Sequence, residues 1–366
     1  MVKVLVVNTV PFEVNGMSSV IINYFKSMNN EGIKCDFIAN GSIYDKYKEE
    51  IEMNGGKVLL LSKKKSKPVK YIKELNNIVK NGEYDIIHVH GNSALMEIEM
   101  NIAKRNNIPI RISHSHNTTC SFKLLHTILY PFFIRDCTHR FACGEEAGKW
   151  LYKNNEFKVI KNGIDVEKYK FNDALRENYR EKLKVKDKKV LCHVGNFSYQ
   201  KNHDFLIDIF KEVVNKNDNY MLFLIGSGKL EDEIKNKVKE LNISDKVVFV
   251  GRSQKVSEYM NAADALVFPS RFEGLPLTLI EAQVSGLKCF ISDRISDEVE
   301  ISNLIEFISL DEKAEKWAEK ITNCDFNSSD RKNTYMLAEK EGYDIKANGR
   351  YLSELYLQYS IGGAND

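Results

Sequence analysis

Residues 264–293 read DALVFPSRFEGLPLTLIEAQVSGLKCFISD. The first seven form a short apolar run of strand type, and the last six form another. Between them Gly274-Leu275-Pro276 breaks the chain, and a helical pattern begins with Pro276 near its first turn, the position proline tolerates best. Strand, helix and strand joined by short connections make a βαβ unit, because two parallel strands need a crossover between them. The unit places Glu273 in the strand-to-helix loop and Glu281 on the first turns of the helix. Two carboxylates thus flank a helix start, where unpaired N–H groups favour an anion.

The same rhythm extends in both directions. Upstream, VKVLVVN, KCDFIAN, KVLLL, DIIHVHG, IPIRISH and HRFACG are β-rich runs, followed by helical patterns near 17–30, 44–54, 69–81, 93–106, 122–135 and 145–153. KKVLCHVG, NYMLFLIG and KVVFVG then lead into the opening unit. Residues 165–189 are polar and charged with no β-run, and read as a linker. The expectation is an α/β protein of two doubly wound, Rossmann-like domains, 1–165 and 166–344, with ligands at the carboxyl ends of the strands and a cleft between the domains. Residues 345–360, IKANGRYLSELYLQYS, form an amphipathic helix able to cap either domain, and 345–366 is expected to return to the first.

Composition agrees with two soluble domains. The chain has 366 residues, 43% hydrophobic and 28% charged, with a mean hydropathy of −0.37. No apolar run is long enough to span a bilayer, and the first residues enter a strand at once, so no signal peptide is expected. Seven cysteines lie scattered without a CxxC pair, which favours a reducing cytoplasm over a disulfide framework or structural zinc. Residues 1–165 hold 23 Lys+Arg against 17 Asp+Glu, leaving 30 against 34 in the remainder. That mild basic bias suits an anionic surface but falls short of a nucleic-acid-binding face.

Several turns could meet a phosphorylated ligand. Asn15-Gly16-Met17 follows a strand and opens a helix; Gly195 to His203 does the same and adds Lys201, a point charge suited to phosphate. Gly226-Ser227-Gly228 follows another strand. Each turn alone is common in α/β proteins. Backbone N–H groups from Leu275 to Thr278 could hold a phosphate, and Glu281 could accept hydrogen bonds from a ribose diol.

Taken together these segments resemble the retaining GT-B glycosyltransferases of family 4 (glycosyltransferases group 1). RFEGLPLTLIEA resembles that family's E-x7-E motif. VGNFSYQKNHDFLIDIF, LIGSGKLEDEI, VVFVGRSQKVSEYMNAADALVFPSRFEGLP, VIKNGID and the N-terminal glycine loop resemble it in the same order, over nearly the whole chain. The nearest relatives implied are bacterial enzymes of capsule and exopolysaccharide assembly. On this resemblance Glu281 would bind the ribose of a nucleotide-sugar. Glu273, Gly274 and Leu275 would face the donor sugar, with Leu277 and Thr278 at the phosphates. Lys201 and Gly16 would neutralise and cradle the diphosphate, with Asn196 and Gly226 in the turns beside it. Gly251-Arg252 would read the base, UDP being favoured. His114 or His116, in IRISHSHN, matches the family's active-site histidine, and we favour His116.

One position departs from the pattern: Asn196 stands where the family usually has an arginine. A charge-assisted bond to phosphate is worth about 1.5–3 kcal/mol, or roughly 10–150-fold in affinity. The implied reaction is transfer of a hexose or N-acetylhexosamine with retention, without a metal or other cofactor, because Lys201 and helix starts would stabilise the leaving diphosphate. The implied acceptor is a glycan or a lipid-linked sugar. Residues 122–134, FKLLHTILYPFFI, with Lys63-Lys64-Lys65-Ser66-Lys67, could rest on an anionic membrane at the inner face of the plasma membrane; a buried helix would carry the same apolar pattern. Two other readings stay open. One is a weakened partner subunit that binds nucleotide-sugar or stabilises another transferase, and the other a nucleotide-sugar epimerase of the same fold. A dehydrogenase is disfavoured because no G-x-G-x-x-G follows a strand.

Overall fold

The computed structural model describes residues 1–326 and 328–362. The chain divides into two compact units: Met1–Gly163 with the described residues from Asp344 onward, and Ile164–Tyr343.

The first unit holds β1 (Val2–Asn8), β2 (Ile33–Asn40), β3 (Lys57–Leu61), β4 (Ile86–Gly91), β5 (Ile110–Ser115), β6 (His139–Ala142) and β7 (Lys158–Val159), all parallel in the order β3-β2-β1-β4-β5-β6-β7. The second holds β8 (Lys189–Val194), β9 (Tyr220–Ile225), β10 (Val247–Gly251), β11 (Ala265–Phe268), β12 (Lys288–Ser292) and β13 (Ile305–Ile308), parallel in the order β10-β9-β8-β11-β12-β13. Strands covered by helices on both faces need apolar side chains on both, so the central strands read as near-continuous apolar runs. Val4 to Val7 of β1 and Ala265 to Phe268 of β11 are buried at every position. Strand order reverses between β1 and β4 and between β8 and β11, and a doubly wound sheet presents its ligand crevice outside the carboxyl ends at such a point. The two edge strands β7 and β13 had no counterpart in the sequence reading.

The polar stretch read as a linker is helical and docked on the second unit. It forms helices Val166–Tyr169 and Asp173–Lys182, the latter capped by Asn172, whose side chain accepts from Leu175 N. Arg176 and Arg180 pair with Asp264, and Arg180 Nη1 also donates to the Ala262 carbonyl at 2.8 Å. The buried face of this helix is made of arginine, so hydrophobic periodicity could not reveal it.

The last helix, Ile345–Gly362, lies on the first unit against helix Gly16–Ser27. The contact is close enough that a Cβ on Gly349 would stand 2.6 Å from the Ser27 carbonyl carbon. Helix Lys123–Asp136 buries little beyond Phe133 and Asp136, and Phe122, Leu124, Leu125, Ile128 and Phe132 are exposed on or beside it. A cavity of about 410 Å³ is lined by residues from Ser121 to Ile128. Among the described residues no helix is long and apolar enough to cross a membrane.

Candidate functional site

The carboxyl ends of β8, β9 and β10 are stitched into one surface by their backbones. Gly195 N donates to the Ile225 carbonyl at 3.0 Å, Phe197 N to Ser227 at 3.2 Å, and Gly226 N to Gly251 at 2.9 Å. Glycine is required at Gly226, whose φ is +147° and whose added Cβ would meet the Gly195 oxygen at 2.0 Å. Gly251 also has a positive φ, +75°, with open space above it. Arg252 Nε donates to Ser227 Oγ at 2.7 Å, and Asn196 stands exposed on the neighbouring turn. Asn196, Gly226, Gly251 and Arg252 therefore share one edge.

Beside them, Lys201 Nζ forms an ion pair with Glu273 Oε1 at 2.7 Å, with only 17% and 7% of the two side chains exposed. Gln200 Nε2 donates to the other carboxylate oxygen at 3.0 Å, while the Gln200 carbonyl accepts from Arg271 N at 2.8 Å. The lysine stem runs over Gly195, where a Cβ would crowd it at 3.1 Å, and its ammonium sits 4.5 Å from the centroid of the Phe268 ring. Lys201 reaches this place because Asn202 takes a left-handed conformation, φ 56°, held by a 3.0 Å bond from its Nδ2 to the Pro269 carbonyl. The ammonium thus stands largely buried, with its charge already shared with a carboxylate.

Gly274 is exposed, with nothing within 4 Å of where a Cβ would stand, and helix Leu277–Val284 starts immediately after Pro276. Leu275 and Leu277 lean on the apolar core of the unit, which fixes the helix start; Leu279 N donates to the Pro276 carbonyl at 2.9 Å, while the Thr278 N–H has no partner within the helix. Glu281 lies half-buried on this helix. Burial pushes its carboxyl from an ordinary 4.5 up to about 7, a rise opposed by a hydrogen bond with Tyr169 and by the nearby Lys168 charge. Tyr169, Lys168 and Gln200 escaped the sequence reading: the first two lie in the supposed linker, and nothing in the sequence aims Gln200 at Glu273.

His193 and His203 form a second, apolar layer beneath the loop. The Val267 carbonyl can only accept, so His193 Nδ1 carries the proton and donates to it at 2.8 Å. His203 stacks on Phe197 with centroids 4.1 Å apart. Burial first and the Lys201 charge second lower His203 to about 4, so it is neutral near pH 7.

Gly16 and His116 belong to the first unit. Gly16 is exposed at the first turn of its helix, which Asn15 caps by accepting from Ser18 N at 3.0 Å. His116 follows β5. Its Nε2 meets His90 Nδ1 at 2.9 Å, and burial lowers it to about 4, opposed by Asn162. His114, the alternative, is fully buried. His116 is therefore a neutral, hydrogen-bonded imidazole rather than a free base.

Residues 176–335 match the domain family described as glycosyl transferases group 1, and residues 14–168 match glycosyltransferase family 4. The chain belongs to the GT-B glycosyltransferases. Bacillus subtilis EpsF, named as a glycosyltransferase, is 29% identical over 359 residues, covering 93% of each chain. An Escherichia coli enzyme, UDP-Gal:alpha-D-GlcNAc-diphosphoundecaprenol alpha-1,3-galactosyltransferase, is 26% identical over 80% of this chain and 79% of its own length. Among solved structures, Anabaena HepE in complex with UDP superposes with a TM-score of 0.78 at 16% identity, over 97% of this chain and all of that one. That likeness concerns the fold. In this GT-B glycosyltransferase the glycine turns and the Lys201–Glu273 pair occupy the carboxyl edge of the second sheet, where a doubly wound sheet binds its ligand.

Proposed function

We propose that this glycosyltransferase moves a hexose or N-acetylhexosamine from a UDP-sugar to a glycan or lipid-linked acceptor in cell-surface polysaccharide synthesis, with retention and without a metal at the diphosphate. The observation that carries the reading is the largely buried Lys201–Glu273 pair, with a helix start and Glu281 following it on one edge. In this scheme Lys201 and the helix start meet the diphosphate, Glu281 accepts from the ribose diol, and Glu273, held by Gln200, faces the donor sugar. The glycine turns at Gly226 and Gly251 let backbone approach the nucleotide. Gly16 is assigned to the phosphates and His116 to the reacting sugar, as a neutral hydrogen-bonding group. Stabilising the departing charge is the protein's main contribution. The relatives support this choice: one is named for UDP-galactose and a diphosphoundecaprenol acceptor, and HepE was solved with UDP.

Membrane contact through residues 122–134 belongs to the same proposal. The exposed apolar side chains there are flanked by Lys123, by Lys65 set 6.0 Å from the Phe122 ring, and by Arg135 over Phe132. Basic groups around an apolar stripe complement anionic lipid. Lys64 is excepted, because it turns inward to Glu99 at 2.7 Å.

Calorimetric titration with UDP, GDP and ADP tests the donor site, repeated with Lys201→Ala and Glu281→Ala. UDP is expected to bind, and each change to weaken it by about 10–150-fold. Failure of all three nucleotides to bind would overturn the reading. It would favour a weakened partner subunit, to which the uncharged, exposed Asn196 points.

A further inference from the structure

β4 and β5 are neighbours in register, His90 opposite His114, and alternate residues of a strand share a face. His88, His90, His114 and His116 consequently gather on one side of the first sheet. Neighbouring ring centroids are 4.2 to 5.4 Å apart. The first three rings are at most 3% exposed, and one nitrogen from each lies within 4.8 Å of the others.

Their hydrogen bonds are unevenly distributed. His88 Nδ1 meets the Tyr356 hydroxyl at 2.6 Å, from the C-terminal helix, and His90 Nδ1 meets His116. His88 Nε2 is buried with no hydrogen-bond partner, and His114, fully buried, meets only the Ile160 backbone. An unpaired polar atom costs about 1–3 kcal/mol in a dry interior, so under-satisfied nitrogens on adjacent buried rings point to a ligand. Carboxylates are absent from this set. An imidazole that carries one N–H offers its other nitrogen as a ligand.

We propose that His88, His90 and His114 bind one divalent first-row transition cation of the zinc, cobalt or nickel class. An all-imidazole set suits these ions and disfavours magnesium or calcium, which prefer oxygen. Ligands about 2.1 Å from a tetrahedral zinc are about 3.4 Å from one another. The rings, stacked at interplanar angles of 3° to 29°, must turn out of that arrangement and close by about 1.4 Å to take a cation. Tyr356 and His116 act from behind: a bond to the far nitrogen fixes tautomer and ring angle, the usual second partner of a metal-bound histidine. Here His88 Nδ1–H donates to the Tyr356 oxygen, leaving Nε2 for the cation. The cation would tie β4 and β5 to the C-terminal helix, and it plays no part in neutralising the diphosphate. This proposal stands on the first unit alone and does not depend on the donor assignment.

Full-length protein, stripped with EDTA and dialysed, would be titrated with Zn²⁺ by calorimetry and with Co²⁺ by visible absorption. We expect one equivalent of each to bind, the Co²⁺ complex showing tetrahedral nitrogen ligation without thiolate charge transfer, and Zn²⁺ to raise Tm. His88→Gln and His114→Gln should each lower affinity at least 100-fold, and Tyr356→Phe by about 10–100-fold. His126→Gln, on a half-buried helix position away from the cluster, serves as control and should change nothing. Absence of a Co²⁺ spectrum in the unaltered protein would overturn the proposal, whatever the folding of the variants. So would thiolate bands, or Zn²⁺ binding undiminished in folded His88→Gln and His114→Gln proteins.

Discussion

The two sheets share the strand order 3-2-1-4-5-6 in their own numbering, yet their carboxyl edges carry opposite chemistry. On the second, glycines clear the backbone and a lysine, two glutamates and an arginine stand over it. On the first, three histidines lie buried with His116 half-buried beside them, and Gly16 and Gly41 are exposed. A doubly wound sheet fixes where a ligand goes, and the turns decide what kind. The charged edge needs backbone conformations only glycine adopts. The histidine edge needs only that two neighbouring strands carry imidazole at alternate positions.

The largest effect is expected where the second edge depends on a missing side chain. Gly226→Val would force Cβ into the Gly195 oxygen at a φ of +147°. Strain and overpacking together should cost about 2–5 kcal/mol. Thermal unfolding should show a Tm lower by more than about 6 °C, and UDP binding should be lost. An unchanged Tm would mean the turns are not locked together as described.

Next comes charge. Asn196→Arg restores a cation to an exposed position on the donor edge and should tighten UDP by about 10-fold or more. If titration shows no gain, the second cation is supplied elsewhere, with Arg252, held on Ser227 of the same edge, one source.

Glu281 gives a smaller, signed effect. Its carboxyl resists ionisation until about pH 7, whereas the unfolded chain ionises near 4.5. Stability contributed by the protonated form is therefore present at low pH and declines as pH rises from about 4.5 through 7. UDP affinity should move the other way, rising through pH 7 as the carboxylate becomes able to accept from the ribose diol. Glu281→Gln should flatten both profiles, measured by denaturant melts and calorimetry between pH 5 and 8.

The smallest effect concerns the first unit's surface. Leu124→Asp with Leu125→Asp should reduce partition to vesicles containing phosphatidylglycerol several-fold at low salt, with UDP affinity unchanged. Equal partition of both proteins in flotation assays would remove 122–134 as a membrane contact.

Much of this was legible in the sequence because the central strands are covered on both faces and so spell themselves as apolar runs. β7 is two residues long and half-exposed, and β13 is a four-residue edge strand, so neither leaves such a run. Helix Asp173–Lys182 was hidden for a different reason: its buried contacts are guanidinium groups on carbonyls and on Asp264. That reading as a linker also concealed Lys168 and Tyr169, which set the environment of Glu281. DIIHVHG and IRISHSHN were both recognised as strands, but the histidine cluster required knowing that they are neighbours. The charged edge was easier to find, since its turns and the E-x7-E spacing lie in contiguous sequence. What sequence could not show is that Lys201 and Glu273 hold each other, with Gln200 on the second oxygen.

The return of helix Ile345–Gly362 to the first unit makes the second unit an insertion within it. On the ribosome the consequence is one of order. Residues 164–343 can complete their own fold while the first sheet still lacks the helix that carries Gly349 and Tyr356. The earlier-made half must therefore be the later one to finish, and helix Gly16–Ser27 waits with one side uncovered until Ile345–Gly362 has been made.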